Sequence, residues 1–110
     1  MELSLDTLDL TVDDGGLARL VINRPDAANA LDRQMSADFR TVAIALDSTQ
    51  AARAVLITAN GPIFCGGGDL RSFAESDDTY SLVSEMTVDF HAAVARLSKL
   101  DAPVVAAVSG

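Results

Sequence analysis

Ile63-Phe64-Cys65-Gly66-Gly67-Gly68-Asp69-Leu70 is the stretch of this 110-residue chain whose residue types and spacing could do chemistry. Three successive glycines carry no Cβ, so their backbone N–H groups can come unusually close to a ligand and the chain can take φ > 0 there without penalty. Such a loop can bind an oxygen that gains negative charge during a reaction. The apolar run Ala54–Ala59 lies ahead of it, bounded by the breaker Asn60-Gly61-Pro62, which predicts a short buried strand. Asp69–Phe73 follows it and predicts a single helical turn. Amides between a strand end and a helix start also gain from the positive end of the helix dipole.

The rest of the chain supplies elements to hold that loop. Leu3, Leu5, Leu8, Leu10 and Val12 predict a first extended segment and Leu17–Asn23 a second, joined as a hairpin at Asp13-Asp14-Gly15-Gly16. Arg24-Pro25 stops the strand, Asp26–Leu31 reads as loop, and Asp32 is a helix N-cap. Met35, Phe39, Val42 and Leu46 recur at helical spacing, with Asp38, Arg40, Asp47 and Gln50 on other faces. After an acidic connection, Ala74–Thr79, a second amphipathic helix runs from about Tyr80 to Leu100, with Val83, Met86, Phe90, Val94 and Leu97 as its apolar stripe. Asp101-Ala102-Pro103 ends it, and Val104–Val108 predicts a last apolar strand. The pattern is that of an α/β fold in one domain.

Composition narrows the function classes. With 16 acidic and 8 basic residues the formal charge is −8, which disfavours nucleic acid and anionic membrane as partners. A phosphorylated ligand is still compatible, because screening limits remote charges to about 8–10 Å and leaves local arginines in control. Arg24, Arg33 and Arg71 are the candidates. One cysteine excludes an internal disulfide, and one cysteine with one histidine gives no expectation of a metal site. Met1–Leu10 has no basic and apolar leader pattern, no apolar run approaches the ~20 residues of a membrane helix, and the cytosol is the expected compartment.

Four blocks carry a family resemblance: Val21-Ile22-Asn23-Arg24-Pro25, Asn29-Ala30-Leu31, the glycine loop 63–70, and Ala102-Pro103-Val104-Val105-Ala106-Ala107-Val108-Ser109-Gly110. In this order and spacing the chain resembles the enoyl-CoA hydratase/isomerase, or crotonase, superfamily. The resemblance implies a crotonase-like spiral of ββα turns, of which residues 1–110 are the N-terminal part of a single domain. It implies an acyl-CoA thioester as substrate, with coenzyme A entering as part of that substrate and no separate cofactor. For a full-length parent it implies a trimer or a pair of trimers.

The resemblance also assigns residues. Gly68 matches the position whose backbone N–H is one of two donors to the thioester oxygen. Gly66, Gly67, Asp69 and Leu70 match the surrounding substrate loop, and Ala28 and Ala30 match positions along the adenine and pantetheine path. Arg24 and Arg71 are placed to meet CoA phosphates. Glycine at 66 and 68 departs from the alanine or serine of many members and loosens the loop. The second donor and the usual carboxylates belong to a region after the block closed by Gly110, so the 110 residues alone are expected to be inactive and to bind CoA weakly. A non-catalytic CoA-binding or degenerate interaction fragment is the other reading.

Other candidates are weaker. Gly61 and Gly66 have phosphate-loop separation, but Gly67 stands where the lysine is required, and Leu70 and Arg71 break a dinucleotide fingerprint. His91 borders the apolar stripe and matches a position where some thioester dehalogenases resemble this chain and use a histidine base; a partly exposed histidine without chemistry is the preferred reading. Cys65 has no accompanying base and reads as a small packing thiol. Glu85, Asp89, Asp77 and Asp78 read as solvated. Ser36, Ser48 and Ser98 lack the Gly-x-Ser-x-Gly setting of a serine hydrolase.

Overall fold

A computed structural model describes residues 1–110. Five strands form one sheet in the order β1 (Glu2–Ser4), β2 (Leu8–Val12), β3 (Leu17–Ile22), β4 (Ala54–Ala59) and β5 (Val104–Ala106). The first three are antiparallel; β3 to β4 and β4 to β5 are parallel, which requires crossovers. Helix α1 (Arg33–Thr49) makes the first crossover, and α2 (Leu70–Glu75) with α3 (Thr79–Ser98) makes the second.

The predicted first extended segment is in fact two strands. The chain turns at Leu5–Thr7, so that Leu3 lies opposite Leu10. The alternation carries a trace of it: Leu3 and Leu5 lie two apart, as do Leu8, Leu10 and Val12, but Leu5 and Leu8 lie three apart, so the apolar face switches parity across Asp6-Thr7. What fixes the turn is remote: the Asp38 carboxylate accepts from the Thr7 amide at 3.0 Å and the Thr7 hydroxyl at 2.7 Å. Asp38 is therefore buried rather than on a solvent face. A buried carboxylate is tolerated here because its oxygens are satisfied, Gln34 donating the third bond at 2.8 Å.

The β2–β3 hairpin forms as expected, with Gly16 at φ +90° where its missing Cβ leaves room for the Arg53 side chain. Asp13 caps the turn through the Leu17 amide at 2.9 Å, and that bond is the main reason its carboxyl titrates below its ordinary value. Asp32 caps α1 through the Met35 amide at 2.8 Å. Leu8, Leu10 and Leu20 from the sheet then meet Met35, Val42 and Leu46 from α1 in one core.

Helix α3 begins within a residue of expectation, but Asp78 is its N-cap, accepting from the amide and hydroxyl of Ser81, and is not simply solvated. Its buried face is Met86 and Ala93, whereas Val94 is 46% exposed. Phe90 meets Phe39 of α1 edge to face with centroids 5.4 Å apart, an arrangement worth about 0.5–1.5 kcal/mol beyond burial. Glu85 and Asp89 are also more than solvated: they pair with Arg33 at 2.6 Å and Arg40 at 3.0 Å across the two helices. Val105 and Val108 are 58% and 70% exposed, and strand ends at Ala106 rather than Val108.

Candidate functional site

The parallel register places Ile22 beside Ala59, so the loops leaving β3 and β4 start as neighbours at the carboxyl ends of the strands. Asn60 ties them at the outset, its amide donating to the Ile22 carbonyl at 2.9 Å and its side chain to Asn23 at 3.0 Å. The segment after β5 joins them, since the Phe64 amide donates to the Ser109 carbonyl at 3.1 Å. The carboxyl ends of parallel strands are where open α/β sheets bind ligands.

Asn29 is the residue that sequence reading missed as part of this site. It is fully buried with φ +53°, a left-handed conformation in which asparagine is enriched. Its side-chain oxygen accepts from the Arg24 amide at 2.7 Å, and its amide nitrogen donates to the carbonyls of Asn60 and Ile63 at 2.8 and 2.7 Å. One side chain thus fixes the shape of the first loop and the entry of the glycine loop. An asparagine between Pro25 and the helix cap, inside a turn-prone segment, was the available signal.

Beyond that clamp the two loops run parallel. Gly66 donates to the Ala28 carbonyl at 2.9 Å, Leu31 donates to the Gly67 carbonyl at 2.7 Å, and Asp69 donates to the Leu31 carbonyl at 2.9 Å. Leu31 and Gly68 form an isolated parallel bridge. In such a pairing one residue bonds to both neighbours of its partner, so the partner's own N–H and C=O point the other way. Gly68 is that partner. Neither the Gly67 nor the Gly68 N–H donates to any protein group.

The three glycines differ in how tightly geometry holds them. Gly67 takes φ +94°, which L side chains avoid. At Gly66 a Cβ would come within 3.1 Å of the Ala28 carbonyl oxygen, the atom that receives its own N–H. Gly68 is less restricted: a Cβ there would meet only the Phe73 ring, at 3.0 Å.

Gly68 lines two adjoining cavities. One, of about 430 Å³, is almost wholly apolar, with Phe64, Phe90, Val94 and Leu97 among its walls. The other, of about 180 Å³, lies between α2 and α3 and includes Phe73, Thr87 and His91. His91 itself is exposed. Neither cavity wall contains a carboxylate. Cys65 contributes to the apolar wall but is exposed rather than a buried packing thiol, because the Gly66–Gly68 path carries it over the cavity rim instead of into the core.

On the outer side of the loop, a wide opening of about 750 Å³ is lined by Arg24, Asp26, Asp69, Arg71 and Ser72. Arg71 is 88% exposed and touches only Glu75, at 3.2 Å. Arg24 is far more engaged: it contacts Asp69 at 2.8 Å, Asp32 at 3.3 Å and the Ala30 carbonyl at 2.9 Å. Asp69 is also the N-cap of α2, accepting from the Ser72 amide at 3.1 Å. That amide first, and Arg24 second, hold its carboxyl below the ordinary aspartate range. Ala28, at φ +56°, and Ala30 lie on the first loop between these groups. Leu70 is 78% exposed at the start of α2. Of the sequence-derived candidates, the structure gathers Arg24, Ala28, Ala30 and residues 66–71 around the two loops and sets His91 across the smaller cavity.

This fold is that of crotonase-type proteins. A solved enoyl-CoA hydratase from Mycobacterium smegmatis superposes with a TM-score of 0.84 at 29% identity, covering 93% of this chain and 39% of that one. Residues 13–110 match the enoyl-CoA hydratase/isomerase family, and the chain belongs to it. Among curated relatives, "Probable enoyl-CoA hydratase echA8" of Mycobacterium leprae is 32% identical over 91 residues, 83% of this chain and 34% of the relative. The zebrafish (Danio rerio) "Enoyl-CoA hydratase domain-containing protein 3, mitochondrial" is 32% identical over 114 residues, 100% of this chain and 38% of the relative. The chain thus spans little more than a third of the length of these curated relatives. No helix is long and apolar enough to cross a membrane.

Proposed function

We propose that the Gly68 N–H is one donor of an oxyanion hole for an acyl-CoA thioester, in an enzyme of the enoyl-CoA hydratase/isomerase type. The observation that carries this reading is the Leu31–Gly68 bridge, which turns the Gly68 N–H away from its neighbouring loop and leaves it without a protein acceptor. Adding water to an α,β-unsaturated thioester, or moving its double bond, passes through an enolate whose charge gathers on the thioester oxygen. A donor aimed at that oxygen stabilises the transition state by about 2.7–4 kcal/mol. The apolar cavity beside Gly68 suits an acyl chain. Arg71, exposed and lightly engaged at the wide opening, suits a CoA phosphate, with Ala28 and Ala30 along the path between.

Proton transfer needs a carboxylate or another base near the α and β carbons. The cavity walls around Gly68 hold no carboxylate, and their one imidazole, His91, stands exposed at the rim of the smaller cavity, so on this reading these 110 residues by themselves bind and polarise a thioester without turning it over. That same observation favours, as the second reading, a CoA-binding chain without catalysis. Trimeric assembly and a cytosolic setting belong to the proposal for a complete enzyme.

Titration of the ¹⁵N-labelled chain with acetoacetyl-CoA, which ionises to a thioester enolate, tests the reading. The Gly68 amide resonance is expected to move downfield, with micromolar or weaker affinity. An unmoved Gly68 resonance would overturn it; hydration of crotonyl-CoA by the purified chain would overturn only the statement that these residues do not turn substrate over, and a nanomolar affinity only the expectation of weak binding.

A further inference from the structure

We infer that Arg24 is a positioning residue for the Gly68 amide, acting through Asp69, rather than a group that binds ligand. The guanidinium closes a ring of contacts. It reaches the Ala30 carbonyl at 2.9 Å on its own loop and the Asp69 carboxylate at 2.8 Å on the glycine loop. Leu31, next to Ala30, bonds back to the Asp69 amide at 2.9 Å. Gly68 has no hydrogen bond of its own N–H to hold it, so its place is set by its neighbours on either side. Gly67 is fixed through Leu31 and Asp69 through both Leu31 and Arg24.

The environment distinguishes this pair from the other ion pairs. The side chains of Arg24, Asp32 and Asp69 are 26%, 20% and 12% exposed, whereas Arg71 and Glu75 are 88% and 68% exposed. A partly buried charge pair with ordered geometry is costly to break on one side, because the remaining charge stays desolvated. Removing Arg24 alone leaves the Asp32 and Asp69 carboxylates, which shared it, with no cation between them. Their repulsion acts along the line joining the two loops and opens the bridge at Gly68. Removing one of the carboxylates as well relieves it. A ligand-binding arginine has no such dependence on Asp69.

The inference rests on Gly68 being the oxyanion donor only for its functional consequence, and the test separates the two. Hydrogen exchange of the Leu31 and Asp69 amides and the Gly68 ¹H–¹⁵N resonance are measured in the wild-type chain, Arg24→Lys, Arg24→Met, Asp69→Asn and Arg24→Met/Asp69→Asn. Val42 and Ala43, buried in α1, report global opening. Arg24→Met is expected to speed exchange at Leu31 and Asp69 at least tenfold and shift Gly68, with Val42 and Ala43 unchanged. The double variant is expected to exchange more slowly than Arg24→Met, and Arg24→Lys to fall between Arg24→Met and wild type.

Exchange within twofold of wild type in Arg24→Met, or effects that simply add in the double variant, overturns the inference. So does an Arg24→Met chain that loses CoA affinity with exchange unchanged, since that outcome makes Arg24 a phosphate ligand. If Arg24→Met unfolds the chain, Val42 and Ala43 accelerate in step and Arg24→Lys decides: acceleration confined to Leu31 and Asp69 supports the inference, and none overturns it. Failure of acetoacetyl-CoA to move Gly68 in every variant removes the oxyanion reading and leaves the exchange result standing.

Discussion

Leu31 and Gly68 face each other across two loops that are otherwise irregular, Leu31 giving its N–H to Gly67 and taking that of Asp69. Two residues of strand-like pairing thereby extend the β3–β4 parallel register past the ends of both strands. This continuation orients the Gly68 amide. The glycines around it differ in what they permit, and substitution separates them.

Gly67→Ala is expected to destabilise the chain by about 1–2 kcal/mol, because alanine at φ +94° is strained whatever the space around it. Gly68→Ala is expected to stay within about 1 kcal/mol of wild type: its φ is not positive, and the entropy alanine removes from the unfolded chain offsets a displacement of the Phe73 ring by a few tenths of an ångström. Urea midpoints at constant m distinguish the two. Equal losses at both positions would contradict the assignment of strain to Gly67.

Asn29→Ala removes three hydrogen-bond partners at once and leaves the Arg24 amide and the Asn60 and Ile63 carbonyls without them. At about 1 kcal/mol for each of the three groups left unsatisfied, plus the strain of alanine at φ +53°, a loss of about 4 kcal/mol is expected. Asn29→Asp should not rescue it, since a carboxylate would face two carbonyl oxygens that need a donor. Equilibrium unfolding of both variants checks this; a loss below about 1 kcal/mol in Asn29→Ala would mean that water replaces the side chain.

Much of the framework was legible because it follows from local pattern. Asp32 as cap of α1 and Ala54–Ala59 as β4 were readable from residue type and bounding breakers, and both are observed within those limits. The site was legible only in part. The glycine loop announces itself, but Asn29, Asp38 and the Arg24–Asp69 pair act on partners far along the chain, and periodicity carries no information about such pairings. Asp38 shows the cost most plainly: on a helical wheel it belongs with the polar residues, and only the arrival of Thr7 makes its burial favourable. Cys65 is the opposite case, an apolar neighbour in sequence that the loop path leaves exposed.

Asp69 gives the fold a pH dependence with a definite sign. Its carboxyl is held below the ordinary value by the Ser72 amide and Arg24, with the Arg71 amide contributing and desolvation opposing them. A depressed folded-state value means that, between it and the unfolded value near 4, the unfolded chain binds the proton and the folded chain does not. Stability from this group is therefore fully present above about pH 4 and is lost as pH falls through the lower, folded value. Asp69→Asn is expected to flatten the pH dependence of the urea midpoint below about pH 4. An unchanged slope would show that Asp69 is not held below its ordinary value in solution.

His91 lies one residue beyond Phe90, and the same turn of α3 sends Phe90 into contact with Phe39 while leaving His91 at the rim of the smaller cavity with Gly68. A group at a rim can reach a ligand without being needed for folding, so stability and binding must be read separately. His91→Ala is expected to change stability by no more than about 0.5 kcal/mol, as for other exposed helical positions without a fixed partner. It is also expected to leave acetoacetyl-CoA affinity and the bound Gly68 resonance unchanged, because an oxyanion held by a backbone amide needs nothing from the imidazole. A tenfold fall in affinity at unchanged stability would instead place the imidazole against the bound thioester, and the smaller cavity would then be part of the ligand path.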